Sequence, residues 1–220
     1  MPSQTNERAF EALIEKSLVG SSQEERQAAQ QLGEPAPTYY AGGYEWGESS
    51  DFDPHFALDT AKLWRFLEAT QPTELAKLHS RPNWQRLVLE RIDKMIRRES
   101  VLYFFKKPLE VDDAVLTLFY SPPVNELNPE TAILFNQNIF SVTRQVYFRT
   151  DGKRDSVDMG IFVNGLPVAT IELKNAWTGQ QALQARRQYE RRSHREPLFS
   201  FGRCLVHLAV DTDEVYMTTR

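Results

Sequence analysis

A single cysteine, Cys204, stands in a chain of 220 residues. It excludes an internal disulfide and any cysteine-built metal cluster. No apolar run approaches the roughly 20 residues that a membrane-crossing helix needs. The first residues are polar and charged, without the pattern of a signal peptide, so a cytoplasmic protein with no membrane contact is expected. An excess of basic residues is also missing. The formal net charge is −4, and any contact with nucleic acid has to come from a local patch. Nor is there a glycine-rich loop ending in Lys-Ser or Lys-Thr, the phosphate cradle of an ATP-driven motor. The remainder is ordinary. A hydrophobic share of 41% and a charged share of 25% suit a globular chain with ample core.

The most informative stretch runs from Asp158 to Asn175. Gly160–Val163 and Val168–Leu173 are apolar runs separated by Asn164-Gly165, the strongest short-range signal for a β-hairpin. The second run ends in Glu172-Leu173-Lys174. Residues two apart on a strand share a face, so Glu172 and Lys174 point the same way and Leu173 points the other. An Asp158 carboxylate on the preceding strand can join them, making a metal site with a cationic neighbour. Parity decides whether it does. A regular two-residue turn pairs Val163 with Leu166 and puts Asp158 opposite Ile171, on the wrong face for Glu172. A three-residue loop ending in a left-handed Gly165 puts Asp158 opposite Thr170 and diagonal to Glu172. Pro167 also favours a bulge or an edge. The metal-site reading therefore requires a bulge or an odd loop.

Asp158, Glu172 and Lys174 resemble the PD-(D/E)xK nuclease superfamily, with Val157-Asp158 in place of Pro-Asp. Phe162–Val168 leading to Ile171–Asn175, together with Arg203–Arg220, is similar to the nuclease domain of type I restriction enzyme R subunits. That resemblance is close over about residues 100–220 and looser before them. It implies an α/β fold, a central mixed β-sheet flanked by helices with an N-terminal helical insert. It also implies one nuclease domain over residues 1–220, helix-rich over 1–99 and sheet-rich over 100–220. Asp158 and Glu172 would hold one or two Mg²⁺ with the Leu173 carbonyl as a further hard oxygen ligand, and Lys174 would act on the attacked phosphate or water. The partners implied are double-stranded DNA and the methyltransferase and specificity subunits of a restriction complex. Intact R subunits continue into a translocase, so ATP would enter only through a motor missing here, and the chain reads as a fragment of a longer subunit.

Residues 180–194 read as a helix begun at Thr178-Gly179. Arg186, Arg187, Arg191 and Arg192, with Arg195 beyond, form the clearest basic patch. Alone they fit DNA phosphates and a solvated face with intrahelical ion pairs equally, and the resemblance favours the DNA reading. The family carries a Gln-x-x-x-Tyr feature on this helix. Tyr189 is present, but Ala185 stands four residues before it, so Gln184 and Gln188 share the candidacy. Residues 4–19 read as an amphipathic helix with Phe10, Leu13, Ile14 and Leu18 on one side. The superfamily often draws one more acid from such a helix, which nominates Glu11; the ordinary reading is a solvated helix-face glutamate.

Residues 33–56 are broken by prolines and glycines yet rich in rings: Tyr39, Tyr40, Tyr44, Trp46, Phe52 and Phe56. They read as a segment packed onto the domain, with base stacking or partner docking as the functional reading. Helices are expected over 22–32, 58–70, 73–79 and 82–98, the last with Pro82 in its first turn. Strands are expected over Val101–Lys106, Val115–Tyr120, Val142–Phe148, Cys204–Val210 and Val215–Thr219. His207 reads as a satisfied core histidine. The rival to a nuclease is a non-catalytic domain that docks the subunit on its methyltransferase partner.

Overall fold

The computed structural model describes residues 2–36, 42–124, 128–174 and 182–219. A six-stranded mixed sheet forms its centre. The strands are β1 (Glu45–Gly47), β6 (Phe140–Tyr147), β7 (Ser156–Val163), β8 (Leu166–Leu173), β9 (Val206–Val210) and β10 (Val215–Thr218), in that spatial order. β1 runs parallel to β6 and β8 parallel to β9, and the other neighbours are antiparallel. Two short hairpins stand apart: β2 (Phe52–Asp53) with β3 (Leu58–Asp59), and β4 (Leu109–Val111) with β5 (Ala114–Leu116).

Helix α1 (Pro2–Val19) covers one face of the sheet. Its Phe10, Ile14, Leu18 and Val19 pack on Val142, Met159, Ile171 and Leu173. The i, i+4 spacing of Phe10, Ile14 and Leu18 is what aligns them as one stripe. α2 (Gln23–Leu32) follows, opened by a reciprocal cap between Ser22 and Glu25 and almost wholly polar, as its composition dictates. On the opposite face α7 (Ala182–Glu190) lies with Tyr189 against a cluster of Val146, Phe148, Val157, Phe162, Leu198 and Phe199. The helical insert α3 (Thr60–Thr70), α4 (Pro72–Leu78) and α5 (Trp84–Glu99) closes its own cluster around Leu63, Phe66, Ile92 and Phe104. α6 (Pro129–Phe135) leads into β6. Among the described residues no helix is long and apolar enough to cross a membrane.

Several expectations need correction. Val101–Phe105 is a 3-10 helix, not a strand. Val101 and Phe104 are the buried pair, a spacing of three that a short apolar run disguises as a strand. β5 ends at Leu116, because the next backbone donor, Thr117 N–H, is taken by the Gln71 side chain. Pro82 lies outside α5, which begins after Asn83 in a left-handed conformation. Cys204 and Leu205 precede β9 rather than belonging to it. The expected start of α7 at 180, with Thr178 and Gly179, falls outside the described residues, as do Tyr39 and Tyr40. Of the other rings in the irregular segment, Phe52 is core, Tyr44 packs edge-on against Phe140 and Trp46 is 43% exposed under the Arg26 guanidinium.

The β7–β8 hairpin solves the parity problem in its own way. Asn164 and Gly165 both have positive φ, 51° and 81°, the signature of a two-residue type I′ turn. Val163 accordingly pairs with Leu166 and Phe162 with Pro167. Ile161 then pairs with Ala169, which leaves Val168 as an extra residue on β8. Pro167 offers no N–H to the ladder, so the bulge falls where the ladder is already weak. Beyond it Gly160 meets Thr170 and Met159 meets Ile171; the same register brings Asp158 level with Glu172. Of the two devices that could restore the parity, a bulge or an odd loop, the chain uses the bulge. The turn itself is fixed by Asn164, whose buried amide bonds Ile139 N–H, the Leu118 carbonyl and Asn138.

Candidate active site

Asp158 sits where two strands lose regularity. On β6 the residue facing it, Gln145, has φ 53°, and the Gln145–Asp158 pair is missing from the otherwise constant register of β6 with β7. A non-glycine residue held left-handed inside a central strand is a strained position of the kind that collects at working sites. Before this point Val142 and Met159 pack toward α1; beyond it Val146 and Val157 pack in the cluster beside α7. Both strands turn over at Gln145 and Asp158, and the Asp158 side chain crosses to β8. Its Oδ2 accepts the Leu173 N–H at 2.6 Å.

Glu172 is 1% exposed. Burial, and then the neighbouring Asp158 charge, push its carboxyl up to about 7, against Arg192 and Lys174. Asp158 is also raised by burial, opposed by the Leu173 N–H, Lys174, Arg192 and a hydrogen bond with Glu172. The Asp158 charge therefore resists ionisation of Glu172. Lys174 holds its ammonium 3.7 Å from Glu7 on α1. Glu7 is raised by burial, lowered by Lys174 and raised again by Asp158. Glu11 is raised by burial too, lowered by Arg144 and raised by Asp158; it accepts from Arg144 and from Gln145 Nε2 at 3.2 Å. A cleft of about 550 Å³ opens here, lined by Glu7, Glu11, Arg144, Gln145, Tyr147 and Asp158 among others.

Glu172, buried and raised further by the Asp158 charge, and Asp158, raised by burial, are hard oxygen donors of the kind that suit Mg²⁺ or Mn²⁺. The donor set is small. Among the described residues no three His, Cys, Asp or Glu side chains converge on a single metal position, so Asp158 and Glu172 would need the Leu173 carbonyl or water to complete a shell.

The structure brings Asp158, Glu172 and Lys174 together. Glu11 borders the same cleft, but Glu7 is the acid that meets the lysine. Glu7 and Glu11 are one helical turn apart, and that i, i+4 spacing was the available signal. Gln145 carried none, since its role comes from backbone conformation. The basic patch divides. Arg186, Arg187 and Arg191 are exposed, as are Gln184 and Gln188, and Arg186 pairs with Glu190 at 3.0 Å. Arg192 instead turns inward onto Glu172. Tyr189 faces the sheet, its hydroxyl 2.9 Å from Thr170 Oγ1. His207 is core, 2.6 Å from the same Oγ1 and stacked by Tyr189 and Phe199.

A protein-family model described as the type I restriction enzyme R protein N terminus matches residues 65–220. The match takes in Asp158, Glu172, Lys174 and α7, and begins inside α3, so α1 with Glu7 and Glu11 lies before it. A comparison with curated proteins gives no match.

Proposed function

The chain belongs to the family of type I restriction enzyme R protein N termini, and on that premise we propose that it is the domain that hydrolyses DNA phosphodiester bonds in such an enzyme. The observation that carries this reading is the Val168 bulge, which sets Asp158, on the wall of the cleft, level with the buried Glu172, with Lys174 as their cationic neighbour. Asp158, Glu172 and the Leu173 carbonyl are the residues that would hold Mg²⁺. When bound, the ion supplies an acidified water and positive charge for the phosphate in the transition state. Lys174 adds a fixed positive charge at the same place, where it stabilises developing negative charge on the phosphate. Glu7 keeps that ammonium in position. Exposed Arg186, Arg187 and Arg191 offer sequence-independent phosphate contacts, consistent with a domain that leaves sequence reading to a specificity subunit. Double-stranded DNA and the methyltransferase and specificity subunits are the partners of this reading.

Thermal unfolding in Mn²⁺ or Mg²⁺ tests the metal part. Saturating ion, at about 100 times its dissociation constant, is expected to stabilise the chain by about 2.7 kcal/mol. The double variant Asp158→Asn, Glu172→Gln should show no shift. An equal shift in both proteins would place any bound ion elsewhere.

A further inference from the structure

Glu172 already has a cation. The Arg192 guanidinium donates to Glu172 Oε1 and, at 2.9 Å, to the Ser156 carbonyl. It lies 4.4 Å from the Phe148 ring centroid and 5.5 Å from that of Phe199. Its Nε is buried without an acceptor, so the guanidinium is held by two rings, one carbonyl and one carboxylate rather than by a full set of partners. Lys174, the other cation near Glu172, faces Glu7. Arg192 belongs to the turn that ends α7, its N–H bonded to the Tyr189 carbonyl at 2.9 Å, and the residues after it are joined by short local bonds. The segment after it is also tied to Thr150 through Glu196, so release of Oε1 falls to the Arg192 side chain itself.

We propose that Arg192 is a latch on the metal site: it holds Glu172 while the metal is absent and has to release Oε1 before Glu172 can serve a metal together with Asp158. This rests on the metal-site reading above. A carboxylate that is 1% exposed needs a counter-charge in the folded chain, and Arg192 supplies it without a bound ion. The same oxygen cannot be given fully to a guanidinium and to a divalent cation. Metal affinity is reduced by the fraction of molecules in which the latch is open. A latch closed in about nine molecules of ten weakens apparent affinity about tenfold. Arg192 is thus a positioning residue, acting through Glu172, and its removal acts on metal binding in the direction opposite to loss of a ligand.

Mn²⁺ affinity measured by calorimetry on the whole chain tests this, with folding of each variant checked by circular dichroism. Working at about pH 8.5 keeps a proton on Glu172 from standing in for the arginine. Arg192→Met and Arg192→Gln are expected to bind Mn²⁺ about tenfold more tightly than the wild type, and Arg192→Lys, which keeps a cation, to stay near it. If the methionine variant fails to fold, the glutamine variant, which can still hydrogen-bond Glu172, carries the comparison. Unchanged or weaker binding in the neutral variants overturns the latch while leaving the metal site standing. A wild type that binds no Mn²⁺ removes the metal site itself, and the latch with it.

Discussion

Cleavage of DNA by the assembled restriction enzyme is expected to fall about a thousandfold when Asp158→Asn or Lys174→Ala is introduced into this domain. Asp158 offers the carboxylate level with Glu172, one oxygen of which accepts the Leu173 N–H, and Lys174 the positive charge near both. Neither change should unfold the chain. An asparagine at 158 keeps an acceptor for the Leu173 N–H, bonded at 2.6 Å in the native site. It also removes the charge that helps raise Glu172, so the folded state loses a repulsion. Lys174 pairs with a largely buried Glu7 at 3.7 Å, and Glu7, already raised by burial, can take up a proton when the lysine is gone instead of standing as an unpaired charge. A plasmid-cleavage assay with purified complex, accompanied by a thermal melt of each variant, separates activity from folding. Cleavage retained by either folded variant would remove that residue from the mechanism.

The second large effect is on stability. Glu172 titrates at about 7 in the folded chain, against an ordinary 4.5. Between these pH values the folded state binds more protons at this site than the unfolded one, so its contribution to stability falls as pH rises. The span amounts to roughly 3 kcal/mol. His207 works against it. Burial lowers its imidazole from 6.5 to about 4, so the unfolded state binds more protons over that window and stability rises with pH. The two slopes overlap and largely cancel in the wild type. Glu172→Gln should therefore uncover the histidine: urea-unfolding free energies of the variant should climb relative to the wild type from about pH 4.5 to 7, the difference growing by roughly 3 kcal/mol. Parallel curves for the two proteins would show that Glu172 is not raised.

Much of this site was legible before any coordinates. Asn164-Gly165 announced the hairpin, Glu172-Leu173-Lys174 the polar end of a buried strand, and Phe10, Ile14 and Leu18 the stripe on α1. What stayed hidden depended on choices that side-chain pattern does not encode. Odd parity between Asp158 and Glu172 can be met in a loop or in a strand, and the chain uses Val168 because Pro167 had already weakened the ladder there. Gln145 is left-handed because β6 turns over opposite Asp158, a backbone event with no residue signature. Arg192 looked like one more member of a basic face. Two rings, the distant Phe148 and the nearby Phe199, draw it inward instead. β1 is three residues long, too short for any alternation to be read, and the 3-10 helix at Val101–Phe105 matches a strand in composition.

The central claim is that the bulged hairpin builds a metal site from Asp158 and Glu172. Anomalous diffraction from crystals grown with a short DNA duplex and soaked in Mn²⁺ tests it most directly. One strong peak is expected about 2.0–2.4 Å from carboxylate oxygens of both residues, with Arg192 withdrawn from Glu172. Saturated crystals with no peak there, and Arg192 still seated on Glu172, would contradict it.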